Sequence, residues 1–377
     1  MSAVPMASRC LKGDTVIIRA DSGWPVTLEA FVHHREGSVH TMRTAGVFVS
    51  ERPCGFSLAP GAHLFRVTTH TGRCIEATAD QAFLTHGGVW KTLEALSPTD
   101  AVAVVSAYPD LASRGDTDGD LIKLLVYLTA REARVDNSVP AFTDPELRYE
   151  FRAAVAAKGD QCEDLTDEAG RAWLRVVGDD GDPSRVQRYL ELVDVVGREP
   201  EARCVPDFVF GLRREKLRLF LSRAFSCDAT IETSGRITYE TRSIRMARQI
   251  QHLLARFGVV SLLRGYEPHG RLEAVHLHIA TKTDVVRFID EVGFVGDLAT
   301  RAEEVRAALY HTRVAEPSPG RLGHLLWDPV ISIEATTAEI GYSVAFEARN
   351  FAANDFIVRG TTPFVDTQEP AFYAEAH

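Results

Sequence analysis

The chain reads as a β domain interrupted by an inserted domain of mixed α and β character. Three observations predict this class. Residues 10–105 carry short apolar runs, with glycine or proline about every ten residues, as compact β folds do. From about residue 110 to 325 apolar side chains recur at helical spacing. From Val330 the strand pattern returns. The 377 residues suffice for at least two domains with a sizeable core.

The elements follow in order. Val16-Ile17-Ile18 is a short strand, and Val102 to Val105 is another. Leu64 to Thr69 and Arg73 to Thr78 flank Thr71-Gly72 and predict a hairpin. Leu121 to Arg134 and Leu217 to Phe225 are helical by period. Ser243 can cap a third helix, with Ile244, Ala247, Ile250, Leu254 and Phe257 on one apolar face. That places Arg245, Arg248, Gln249, His252 and Arg256 off that face. Thr283 to Glu291 is a fourth helix. Gly159 to Asp182 is acidic and glycine-punctuated, which predicts a surface excursion. Val330 to Glu334, Tyr342 to Phe346 and Phe356 to Val358 are the closing strands. The tail from Thr361 to His377 is expected to be irregular.

Composition narrows the function classes. At 45 % hydrophobic and 25 % charged residues, global disorder is excluded. No apolar run reaches the ~18–20 residues of a membrane helix. The start lacks a basic segment followed by an apolar one, so a cytoplasmic protein without a membrane partner is expected. The six cysteines form no CxxC pair, which leaves a zinc ribbon or dithiol site without support. The net charge of −10 argues against a generic polyanion binder. The charge is segregated, however. Residues 161–200 hold 10 acidic and 5 basic side chains, and residues 201–280 hold 8 and 13, so a local basic surface survives the average.

Several blocks carry a resemblance to a known family. Cys10-Leu11-Lys12-Gly13-Asp14-Thr15 and Gly72 to Thr85 resemble the first two blocks of inteins. Val330 to Glu334, Gly341 to Val344 and Asn350 to Val358 resemble the last two. Between them, Leu124 to Glu132 and Phe220 to Asp228 resemble the two signature helices of LAGLIDADG homing endonucleases. Arg203 to Phe210 and Thr241 to Val260 resemble blocks that accompany those helices. The implied fold is an all-β intein-type (Hint) domain, discontinuous in sequence, with an inserted α+β LAGLIDADG-like domain. The implied boundaries are 1–9 as an N-terminal flank, 10–108 and 328–360 as the β domain, 109–327 as the insert, and 361–377 as a C-terminal tail.

The resemblance also implies catalytic positions, and this sequence departs from many of them. Cys10 stands where a thiol attacks its own peptide bond, and Thr78 is retained beside it. Gln81 stands where the family has a histidine, and an amide cannot transfer a proton near neutral pH. Ser343 replaces an aspartate, and Arg349 and Arg359 replace histidines. Gly360 replaces the asparagine whose side chain must cyclise, ahead of Thr361 as the next nucleophile. Normal splicing is therefore expected to be lost. The short flanks are expected to leave no host extein.

In the insert, each signature helix of the family ends in a carboxylate that holds Mg²⁺. Asp228 keeps that position weakly as a metal ligand, and Arg131 occupies the other. Val126, Ala130 and Ala229 stand where smaller residues are usual, which predicts a wider helix seam. Any remaining nuclease activity would use Mg²⁺; otherwise no cofactor is implied. Arg242, Arg245, Arg248 and Arg256 are candidate phosphate contacts. The expected function is a free-standing, splicing-defective protein that binds double-stranded DNA through the insert with little or no cleavage. The alternatives are a repurposed scaffold for a small molecule or protein partner, and residual nicking through Asp228 or self-cleavage at Cys10.

Overall fold

The computed structural model describes residues 9–44, 46–109, 117–130, 133–134, 138–178, 184–195, 198–266, 273–310 and 320–361. Both ends of the described chain meet in one ten-stranded sheet. Its spine is the 21-residue strand Leu325–Ala345, which pairs antiparallel with Gly55–Thr69 and with Ala101–Val105. The sequence pattern suggested two separate strands here. A single strand bridges them because register shifts between Val330 and Gly341 let it bend without breaking its pairing. The predicted hairpin forms, with Cys74–Thr78 returning along Gly55–Thr69 and Gly72 at φ +82° in the turn. Asn350–Ala353 and Phe356–Arg359 form a second hairpin. Its two loop residues, Asn354 and Asp355, both have positive φ, which short asparagine and aspartate side chains tolerate. Val67, Ile75, Phe83, Val104, Leu326, Val344, Phe346 and Phe356 fill the core of this domain.

The insert is built on two helices, Gly119–Thr129 and Arg214–Asp228, which pack against each other. Leu124, Leu125, Phe220, Leu221 and Phe225 are buried in its core. Each helix leads to its own antiparallel sheet. The first sheet has the order Ser138–Pro140, Ala172–Val177, Gln161–Thr166. The second has the order Ala229–Ile231, Ile237–Thr241, Ala274–Ile279, Leu262–Tyr266. The segment expected to be a surface excursion therefore contains two strands. Polar side chains on the solvated face had hidden a buried face at Leu174 and Val176. The helix Pro145–Ala157 also escaped the sequence reading, although Asp144 caps it and Pro145 opens it. Ser243 caps Ile244–Ala255 through Met246 N, as expected.

The two domains share a buried polar contact. Gln251 Nε2 donates to Thr71 O and Ser261 O, both at 2.9 Å. His252 Nδ1 lies 2.7 Å from Asp355 Oδ1, which also accepts from Tyr108 Oη at 2.8 Å. Asp328 accepts from Thr71 N and Thr71 Oγ1. The bonds of Gln251 and His252 join the Ile244–Ala255 helix to the ten-stranded sheet and its loops, and those of Asp328 and Tyr108 hold the receiving residues in place. They satisfy polar groups that would otherwise be costly to bury.

Candidate functional site

The strand starting at Leu11 places Cys10 beside Thr78. Cys10 N donates to Thr78 Oγ1 at 3.0 Å, and Thr78 N donates to Cys10 O at 2.9 Å. Cys10 has no exposed surface. Burial, with the nearby Asp80 charge adding to it, pushes its thiol up to about 12. A thiol in that state is almost never a thiolate at neutral pH, so the sulfur is a poor nucleophile.

The chain from Thr78 turns back to Gln81, whose Nε2 donates to Arg359 O at 2.9 Å and Ala82 O at 3.1 Å. Gln81 thus holds the backbone just before Gly360 as a fixed donor. Gly360 N donates to Arg349 O at 3.0 Å, and Thr361 N donates to Val344 O at 3.2 Å. Ser343 Oγ donates to Thr361 Oγ1 at 3.2 Å. The structure thus links Cys10 with Thr78, Gln81 with Arg359 and Gly360 with Arg349 around one end of the sheet. A Cβ built on Gly360 would lie 2.9 Å from Val344 O, so an asparagine there would need the backbone to shift.

At the helix seam the missing information lies in Arg203. Its guanidinium donates to the carbonyls of Thr129, Ala130 and Ala133, covering the end of the first signature helix. Burial lowers its basicity, and the Asp228 charge acts in the opposite direction. A fixed cation therefore sits within electrostatic reach of the retained carboxylate. Arg131 and its neighbour Glu132 lie outside the described residues. Among the described residues, no three His, Cys, Asp or Glu side chains converge as metal ligands.

The candidate phosphate contacts separate. Arg242 pairs with Glu201 at 2.5 Å. Arg245 and Arg248 are exposed on the wall of a cavity between the two domains. Arg256 corrects the sequence reading: it is only 7 % exposed and donates to Phe210 O at 2.6 Å and Leu212 O at 3.2 Å. At the end of its helix it serves backbone carbonyls rather than solvent. His252 is likewise buried, against Asp355.

The sequence reading passed over the outer face of the second sheet. Thr238, Glu240, His276 and His278 alternate with buried neighbours and leave this face polar and part-exposed. Thr238 Oγ1 lies 2.9 Å from His278 Nδ1, and burial lowers the His278 pKa. The signal was present as the alternation Ala-Val-His-Leu-His-Ile over residues 274–279.

Residues 215–293 match the family described as LAGLIDADG-like domain. That span runs from the second long helix of the insert through its sheet to the helix Lys282–Glu291, so this part of the chain is LAGLIDADG-like. It is 26 % identical to the replicative DNA helicase DnaB of Rhodothermus marinus over 344 residues, covering 85 % of this chain and 35 % of that protein. The Synechocystis DnaB is 24 % identical over 319 residues, covering 79 % and 36 %. The chain thus spans about a third of the length of these relatives. Among solved structures, a DnaB intein from Synechocystis aligns at 11 % identity and a TM-score of 0.34 over 94 % of this chain and 99 % of that one. I-DmoI in complex with DNA and Mn aligns at 12 % identity and a TM-score of 0.33 over 46 % of this chain and 96 % of that one. Likenesses this loose fix no residue correspondence. No helix among the described residues is long and apolar enough to cross a membrane.

Proposed function

We propose that this chain neither splices nor cuts, and that its insert binds double-stranded DNA through the outer face of its second sheet. One observation carries the reading. Thr238, Glu240, His276 and His278 form a polar, solvated patch on a twisted antiparallel sheet whose other face is core. Strands can enter a DNA groove, and donors and acceptors at alternate positions suit base edges. Arg264 lies on the same sheet opposite His276, and Arg236, paired with Glu232, sits in the turn just before Ile237–Thr241, so both stand at the edge of the patch where a phosphate could compete for them. Loss of splicing is supported by the un-ionised Cys10, the amide at Gln81 and the absence of a side chain at Gly360. Loss of cleavage is supported by Arg203 at the seam.

The test is a mobility-shift titration of random-sequence duplex DNA at about 50 mM and about 200 mM salt, with and without Mg²⁺. Binding should fall steeply with salt and leave the duplex uncut. His276→Ala with His278→Ala should weaken it, whereas Arg256→Gln should alter stability and not the salt slope. Absence of binding at the lower salt defeats the proposal. Mg²⁺-dependent cutting that disappears in Asp228→Asn defeats the reading of the seam.

A further inference from the structure

The departures at Arg349 and Arg359 have a structural consequence beyond the loss of proton transfer. Both side chains line a cavity of about 1070 Å³. The strands around Met42–Glu51 and Leu84–Trp90 bound it, together with residues 320–327 and 347–350. Arg43 and Arg321 also line it. Arg321 is committed elsewhere, to Asp284 at 2.5 Å and to Gly258 O. No ion pair holds Arg43, Arg349 or Arg359 among the described residues. The acidic side chains on the wall are Glu51 and Glu347. Glu51 is already engaged, since it accepts from Thr41 Oγ1, Glu347 N and Ala348 N. That leaves three uncommitted guanidinium groups against the exposed carboxylate of Glu347.

The remaining wall mixes aliphatic side chains such as Met42, Leu84 and Leu325 with three aromatic ones. Trp90 lies beneath the Arg359 guanidinium, with 5.7 Å from its carbon to the ring centre. His86 packs edge-on to Trp327 with ring centres 5.4 Å apart. Gly87 and Gly88 follow His86 with positive φ and open space where a Cβ would stand, so no side chain crowds that rim.

We infer that this cavity is a binding site for a small phosphorylated compound with a planar ring, of mononucleotide size. Arg43, Arg349 and Arg359 take the phosphate oxygens, and Trp90 offers a face to the ring. The volume is ample for such a ligand. Burial and the nearby Arg9 and Arg349 charges lower the affinity of Arg359 for its proton, as expected where cations outnumber carboxylates. An anion bound there would relieve that repulsion. The site uses residues that splicing has no use for, and it lies apart from the sheet proposed to meet DNA.

The experiment is isothermal titration of the full chain with 5′-AMP, pyrophosphate and adenosine at low salt. AMP and pyrophosphate should bind and adenosine should not. Arg359→Gln and Arg349→Asn should each weaken both anions about tenfold or more; asparagine is chosen because residue 349 has φ +56°. Trp90→Leu should weaken AMP and leave pyrophosphate unchanged. Arg43→Gln, at an exposed position, gives a further variant if the others fail to fold, with melting temperature as the folding control. Failure of both anions to bind at about 1 mM overturns the inference. So does undiminished binding in the arginine variants, or adenosine binding as well as AMP. Titration of Arg245→Gln with Arg248→Gln should match the parent chain, since these arginines line the other cavity; equal loss there also overturns the inference.

Discussion

His40 makes the fold sensitive to acid. Its ring is 6 % exposed, and neither ring nitrogen has a hydrogen-bond partner among the described residues. It packs edge-on to Tyr108 and Phe48, with ring centres 5.9 and 6.3 Å away. Burial lowers its pKa from 6.5 to about 4, and the His252 and Arg256 charges act in the same direction. The folded state therefore keeps His40 neutral where the unfolded chain protonates it. Between the two pKa values the unfolded chain binds more protons, so stability falls as pH falls from 6.5 towards 4. Two-state linkage gives a loss of about 2 kcal/mol between pH 7 and pH 5 from this residue. The Asp355 and Glu150 carboxylates, both held down at about 2, lose their contribution mainly as pH falls from the ordinary carboxylate range near 4 towards 2, so little of it is lost above pH 5 and it does not mask the effect. The perturbation is His40→Leu, which removes the titrating ring without stranding a partner. Urea unfolding at pH 7 and pH 5 should show the parent chain losing about 2 kcal/mol more than the variant. Equal losses in the two proteins would refute the argument.

Three further outcomes are expected. Iodoacetamide at pH 8 should label exposed Cys54 in the native chain and leave Cys10 unmodified until denaturant is added, by mass spectrometry; rapid native labelling of Cys10 would show an accessible thiolate. Asp355→Asn removes the charge that faces Arg73 and the acceptor that faces His252 and should cost about 3 kcal/mol in denaturant unfolding, whereas a change under about 0.5 kcal/mol would deny this buried cluster a structural role. Gly341→Ala would bring a Cβ within 2.6 Å of Cys10 Cβ and 3.0 Å of Ala62 Cβ, and should destabilise by about 1–3 kcal/mol; an unchanged unfolding midpoint would show that the strands can separate there.

Local chemistry alone decides a good part of this protein. Ser243 caps its helix because a serine before an apolar-periodic run accepts from a nearby backbone N–H. The alternation on either side of Thr71-Gly72 makes a hairpin for similarly local reasons. Gly360 is legible as a chemical loss without coordinates, since no fold supplies a missing side chain. The role of an arginine is different, because its charge and its backbone partners are set by residues far along the chain. Arg203, Arg256 and Arg359 look alike in sequence. Tertiary structure turns the first onto the end of a helix 70 residues away, buries the second against two carbonyls, and leaves the third beside Trp90 at a cavity wall. His40 and Asp355 carry no local signal either. Their protonation is governed by burial and by groups on the other domain, and only the closed fold brings those together.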